Sequence, residues 1–265
     1  MPRKVTAFSN STVKLLRSLR EKKARRVEGL FLAEGLRILA EARDSGLLPE
    51  IVAFSPEGGR HPLAQEIIAA TEAHGGDAIE TTPEILSKMS GKDNPQMLLG
   101  AYRQPETSLA RIERGKAQLW IVAQELRDPG NIGTILRTGD AVGAGGLILI
   151  DDCADPFSVE AVRASMGALF TQQIATARWP EFITWLRGGK GQLVGTSLRT
   201  SQDYLEAKYS QPCFLLIGNE QQGLPADYEA ECDLLVKIAM AGRADSLNAA
   251  IAAAVMAFTI KASWR

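Results

Sequence analysis

At 265 residues the chain is longer than one typical domain, and with 45% hydrophobic and 23% charged residues it has the balance of a globular protein, not of a disordered chain. Its longest apolar stretches, 145–150 and 249–258, are too short to span a membrane, and no apolar core follows the basic start, so neither a membrane span nor a secretory signal is expected. The net charge of −1 is unevenly spread: residues 1–26 hold nine cations against one acid, leaving −9 for the remaining 239 residues.

A positive arm on a mildly acidic body suits a polyphosphate partner, because Lys and Arg gain affinity by releasing condensed counterions. A solvated helix face gives the same pattern, and charge alone does not separate the two. Cys153, Cys213 and Cys232 are far apart and form no C-x-x-C pair, so they read as small buried hydrophobes suited to a reducing cytoplasm. His61 and His74, the two histidines, lie in polar surroundings and are expected at the surface, which leaves little for a histidine-based metal site or triad; no metal is expected.

In chain order, a basic helix is expected over 10–26, capped by Asn10 or Ser11 and striped by Leu15, Leu16 and Leu19. A strand at 29–33, a helix at 34–45, a strand at 51–54, a helix at 61–74, a strand at 78–80, a helix at 83–89 and a strand at 97–102 follow. They make a small alternating α/β unit, ending in the polar, proline-bearing stretch 104–108. Domains are therefore expected at 1–107 and 108–265. In the second, strands at 118–123, 146–150, 173–175, 193–196, 214–217 and 234–238 alternate with helices at 130–142, 159–168 and 246–263. Strands so apolar on both faces belong in a parallel sheet covered by helices, where ligands bind beyond the carboxyl ends of the strands.

Three segments there could carry chemistry. Asp128-Pro-Gly-Asn-Ile-Gly-Thr-Ile-Leu-Arg-Thr-Gly139 follows a strand, with Asn131 as a possible helix cap and Arg137 projecting from the same helix. Leu215-Leu-Ile-Gly-Asn-Glu-Gln-Gln-Gly-Leu-Pro225 leaves a buried strand through a polar loop whose glycines allow close wrapping of a flat ligand. Lys237-Ile-Ala-Met-Ala-Gly-Arg-Ala-Asp-Ser-Leu-Asn248 leads into an alanine-rich helix for which Ser246 is a good cap. Each alone reads as an ordinary turn or loop.

Together they resemble the motifs of the SpoU (TrmH-like) family of RNA ribose 2′-O-methyltransferases, in the SPOUT superfamily. Asn131, Gly133 and Arg137 match its Asn-x-Gly-x-x-x-Arg element, Gly218, Glu220 and Gly223 its Gly-x-Glu-x-x-Gly element, and Ser246, Leu247 and Asn248 its Ser-Leu-Asn element. Order and spacing all fit, over 119–258. Phe31-Leu-Ala-Glu-Gly-Leu-Arg37 looks like the entry of the family's accessory RNA-binding domain, whose fold resembles certain ribosomal proteins. One departure stands out: Ala239 replaces the usual proline in Ile238-Ala-Met-Ala-Gly242, which loosens the backbone there.

The resemblance implies an α/β chain whose second half is a parallel-sheet domain tied in a deep trefoil knot, which periodicity alone does not reveal. It implies a pocket for S-adenosyl-L-methionine lined by Thr196, Ile217, Gly218, Gly223, Ile238, Met240 and Leu247. It also implies a catalytic group of Arg137, with Asn131, Glu220, Ser246 and Asn248 holding it and the substrate. Because a guanidinium stays protonated, Arg137 is expected to bind the adjacent phosphate and favour developing oxyanion character instead of acting as a base. A homodimer through the knotted domain and a structured RNA substrate are implied. The separate first domain favours ribosomal, 23S-type RNA over transfer RNA. A non-catalytic RNA-binding protein of the same fold is the rival that Ala239 suggests, against which the retained Arg137, Glu220 and Asn248 speak. A nucleotide-dependent oxidoreductase is disfavoured because Gly143-Ala-Gly-Gly146 precedes a strand, whereas a dinucleotide fingerprint follows one.

Overall fold

The computed structural model describes residues 2–265, which divide into two compact units. The first comprises the chain up to Pro105 together with Asp155–Thr171; the second comprises Glu106–Ala154 and Gln172–Arg265.

In the first unit, β1 (Arg3–Val5), β2 (Leu30–Glu34), β3 (Ile51–Phe54), β4 (Asp77–Thr81) and β5 (Leu98–Arg103) form a sheet ordered β1-β4-β3-β5-β2. Strands β1, β4 and β3 run parallel, and β5 is antiparallel to both β3 and β2. The three-residue β1 was not expected, since alternation cannot be recognised over so short a run. Helices α1 (Ser11–Ser18), α2 (Lys22–Glu28), α3 (Leu36–Asp44), α4 (Pro62–Ala73) and α5 (Pro83–Ser90) complete the first part of the chain. Val13, Leu16 and Leu19 pack into a core with Ile79, Ile85, Leu86 and Met89.

The helix expected over 10–26 is broken into α1 and α2, and Arg25 accounts for the break. Its Nη1 donates to the carbonyl oxygens of Leu19 (2.9 Å) and Arg20 (2.7 Å), which an unbroken helix would have given to its own N–H groups. Its Nε and Nη2 donate to Asp155 Oδ2 at 3.0 and 2.6 Å. With a side chain only 3% exposed, Arg25 is a strut and not an arm cation. Helix α2 then stops at Gly29, whose φ of +65° suits a residue without Cβ.

Asp155 belongs to a segment that the sequence assigns to 108–265 but the structure packs with the first unit. Within 155–171, which includes α7 (Val159–Ser165), Phe157 and Phe170 lie against Phe31, and Phe170 also against Tyr102, with ring centroids 4.8–6.0 Å apart. The aromatic cluster and the ion pair, neither visible as a local pattern, override the sequence order. Of the other arm cations, Arg3 pairs with Asp77 and Lys4 with Glu80, whereas Lys14, Arg17, Lys22, Lys23 and Arg26 are exposed and make no ion pair among the described residues.

The second unit is a six-stranded, wholly parallel sheet ordered β11-β9-β10-β6-β7-β8. Its strands are β6 (Leu119–Gln124), β7 (Gly146–Ile150), β8 (Gln173–Ala177), β9 (Gln192–Thr196), β10 (Cys213–Ile217) and β11 (Leu234–Val236). One face carries Trp120, Val122, Ile148, Phe214 and Leu216 against Trp179, Phe182 and Leu186 of α8 (Trp179–Arg187). No element is assigned here from sequence; Pro180 sits in the first turn of α8, where proline is tolerated. The other face is covered by α6 (Pro129–Val142) and α10 (Ala249–Ala262), which pack on each other and bury small residues such as Gly133, Gly139, Ala253 and Ala257. Helix α9 (Ala226–Ala230) follows β10. Cys213 is buried and Cys153 and Cys232 half-buried; burial pushes the thiols up to about 12, about 11 and about 12. His61 and His74 are exposed. Among the described residues no helix is long and apolar enough to cross a membrane.

Arg25→Ala strands the Asp155 carboxylate and is expected to destabilise the first unit by about 3–5 kcal/mol. Hydrogen exchange followed by mass spectrometry should show faster exchange over 155–171; unchanged exchange there would dismiss the strut.

Candidate active site

The helix that follows β6 opens at Asp128, not at Asn131: Asp128 Oδ1 accepts from Gly130 N at 2.7 Å, and Pro129 occupies the first turn. Asn131 is thereby released from capping. It is 8% exposed, and its side chain faces the other two motifs. Asn131 Nδ2 donates to Glu220 Oε1 at 2.9 Å, and Asn131 Oδ1 accepts from Asn248 Nδ2 at 3.0 Å. Ser246 likewise does not cap α10. Asn248 takes that place, its Oδ1 accepting from Ala250 N and Ile251 N at 2.9 and 3.3 Å. Those two bonds fix which end of the Asn248 amide is oxygen. The chain of donors therefore runs one way, from the amino end of α10 through Asn248 and Asn131 to the Glu220 carboxylate.

Glu220 sits on the loop after β10, which folds tightly on itself. Asn219 Oδ1 accepts from Gln221 N and Gln222 N at 2.9 and 3.2 Å, and its Nδ2 donates to Glu125 O at 2.8 Å. A Cβ on Gly218 would stand 2.5 Å from the Gly223 carbonyl carbon and 2.6 Å from Leu224 N, so only glycine lets the loop close.

This loop, the loop after β9 and the segment after β11 enclose a cleft of about 350 Å³ beyond the carboxyl ends of the strands. Thr196, Ile217, Gly218, Gly223, Ile238, Met240 and Leu247 all line it, as do Glu220 and Ser246. Ser246 is exposed, and its Oγ donates to Asp245 Oδ1 at 3.3 Å. Arg137 is not brought into this cleft: it is exposed on α6 and has no partner among the described residues. Ala239, the departure from the family pattern, also lies outside the cleft.

Sequence reasoning missed Arg199 and Glu229. Arg199 Nε donates to Glu229 Oε2 at 2.9 Å and its Nη2 to Leu224 O at 2.6 Å, which ties the loop after β9 to the loop after β10. Neither residue stands in a motif, and no periodicity marks their loops. Among the described residues, the cleft's charged lining is Glu220, Glu229 and Asp245 against the one guanidinium of Arg199. An apolar cavity of this size with a net negative rim suits a flat, partly apolar ligand that carries positive charge.

Residues 118–258 match the model of the SpoU rRNA Methylase family, and residues 10–100 match that of the MRM3-like substrate binding domain. A 23S rRNA (uridine(2479)-2′-O)-methyltransferase of Streptomyces viridochromogenes is 31% identical, over 87% of this chain and 82% of its own. The 23S rRNA (guanosine(2553)-2′-O)-methyltransferase RlmP of Bacillus subtilis is 28% identical, over 98% and 99%. Among solved structures, an AdoMet-bound rRNA methyltransferase from Sinorhizobium meliloti superposes with a TM-score of 0.91 at 40% identity, covering 98% of this chain and 97% of that one. With more than half its length under the family model, and with Asn131, Glu220 and Asn248 of its three motifs joined by hydrogen bonds, the chain belongs to the SpoU rRNA methylase family.

Proposed function

We propose that this protein transfers a methyl group from S-adenosylmethionine to a ribose 2′-hydroxyl of structured RNA, with 23S-type ribosomal RNA as substrate. The observation that carries this is the one-way chain Asn248–Asn131–Glu220, whose terminal carboxylate lines an apolar, negatively rimmed cleft.

The donor set fits the cofactor. Ile217, Ile238, Met240 and Leu247 offer apolar contact to the adenosyl part, the glycine-bearing loop Gly218–Gly223 lets backbone approach it, and the acidic rim faces its positive charge. Bound there, S-adenosylmethionine supplies an electrophilic methyl group. The protein positions the ribose and excludes water. Asn131 and Asn248 hold the Glu220 carboxylate in place, and Ser246 offers a hydroxyl at the cleft wall.

Arg137 joins the site through a second copy of the chain. On α10, Ile251 and Phe258 are 54% and 55% exposed, and Leu247 precedes them at 37%. A helix this apolar around its circumference wants burial. Arg137 lies on α6, which packs beside α10, and is equally exposed. An isologous homodimer through these helices covers the apolar residues and turns Arg137 of the partner subunit toward the cleft. There its guanidinium binds the phosphate beside the reacting ribose and favours the oxyanion that develops on the 2′-oxygen. In this reading residues 108–265, without the 155–171 segment, are the methyltransferase domain. Its passage from edge strand β11 back to the central α10 is the knotted segment. Residues 1–107 are the substrate-binding domain, whose free cations Lys14, Arg17, Lys22, Lys23 and Arg26 hold RNA from outside. The RNA substrate and the unpaired cysteines suit the cytoplasm.

Gly218→Ala should weaken S-adenosylmethionine binding at least tenfold by calorimetry, since the added methyl meets backbone. Arg137→Ala should abolish methyl transfer and leave that binding intact; wild-type turnover would remove Arg137 from the mechanism. Mixing the two variants, at a cofactor concentration too low for Gly218→Ala to turn over, should restore roughly a quarter of the activity, because a two-fold dimer with arginine supplied across the interface has one complete site in each mixed pair. No recovery would place Arg137 in its own subunit's site. Replacing Lys14, Arg17, Lys22, Lys23 and Arg26 by alanine should weaken RNA binding and flatten its salt dependence; an unaltered slope would contradict the role of that face.

A further inference from the structure

The extended segment 236–240 has two faces. Val236, Ile238 and Met240 line the cofactor cleft, whereas Lys237 and Ala239 line a second hollow of about 460 Å³ whose other wall is the loop 198–203. Alternation with period two is what an extended backbone produces. The segment is thus a partition, and Leu198 and Arg199 border both spaces.

The second hollow is lined by the donors Arg199, Thr200, Ser201 and Lys237, with the Asp203 carboxylate beside them. Arg199 is already paired with Glu229, whereas Lys237, half-buried in the lining, makes no ion pair among the described residues. Thr200 Oγ1 accepts from Gln202 N at 3.2 Å, which leaves its hydroxyl proton to give outward, and Ser201 is exposed beside it. The one carboxylate in the lining, Asp203, has its Oδ1 engaged by Leu205 N at 2.7 Å. Leu198, 54% exposed, adds an apolar rim. Ala239 is exposed within it, so its small side chain leaves open a space that the family's proline ring would partly fill.

We propose that this hollow is a phosphate-binding site for the substrate RNA, in which Lys237 takes the backbone phosphate of a nucleotide close to the reacting one and Thr200 and Ser201 donate to the same group. The site rests on the methyltransferase reading above. Its position across a one-strand partition from the cofactor cleft explains why RNA is the occupant: a strand whose ribose enters the cleft carries its neighbouring phosphates within reach of the adjoining hollow.

The test uses the full chain, with deproteinised ribosomal RNA in filter binding from 50 to 200 mM salt and S-adenosylmethionine in calorimetry. Lys237→Gln keeps the packing of the stem and removes one cation, so the slope of log K against log salt should shrink by about 0.7–0.9. Ala239→Glu, at an exposed position, should weaken RNA binding several-fold at low salt through repulsion. Cofactor affinity should stay within twofold of wild type for both. An unchanged slope together with unchanged RNA affinity would overturn the site. So would a parallel loss of cofactor binding, since the substitutions would then be acting through the cleft wall. Failure of the unaltered chain to bind or methylate ribosomal RNA would instead sink the methyltransferase reading itself, and it is told apart because it appears before any substitution.

Discussion

Three loops far apart in sequence meet because one asparagine has nowhere else to go. Asn131 is buried, and a buried amide left without partners costs on the order of 1–3 kcal/mol for each unmet group. Its oxygen is met by Asn248 and its nitrogen by Glu220, so the loops after β6, β10 and β11 are held at fixed distances. The amino end of α10 polarises the chain at one end and a carboxylate terminates it at the other, which favours the direction in which every bond points. Loss of any member leaves the next one unpaired. The cleft walls therefore depend on this thread together with the Arg199 tie to Glu229 and Leu224 O.

Much of this was legible from residues alone. The second-half strands are continuous apolar runs, and such runs are what a parallel sheet buried on both faces requires. The three polar, glycine-bearing loops stood out because each follows such a run. What the sequence misassigned is instructive. Asn131 and Ser246 are both good cap residues, and a local rule gave them that task. Asp128 and Asn248 are equally good, and tertiary contacts decided between them. Arg25 looks like any other cation in a basic arm; its partner Asp155 lies 130 residues away, beyond the reach of periodicity. Arg199 and Glu229 meet only because the loop after β9 folds against α9.

The partition at 236–240 shows how one short run can serve two sites. A helix there would spread its side chains around a circle, whereas an extended run sends neighbours to opposite sides. Ala239 therefore does not touch the cofactor cleft, and the departure from the family pattern carries no weight for a non-catalytic reading. The same geometry makes substitutions separable: even-numbered positions line the first cleft and odd-numbered ones the second hollow.

Charge gives the proposed reaction a direction. Glu220, Glu229 and Asp245 outnumber the paired Arg199 around the cleft, so a ligand with a sulfonium centre is held partly by Coulomb attraction, which is stronger in a partly buried site than in water. Once its methyl group has left, that ligand has lost one positive charge while its apolar and backbone contacts are unchanged. The electrostatic part of the attraction then falls away and the rest remains. The rim thus favours the donor over the spent product without any contact to the methyl group, and discrimination between them should weaken as salt screens the exposed Asp245 carboxylate.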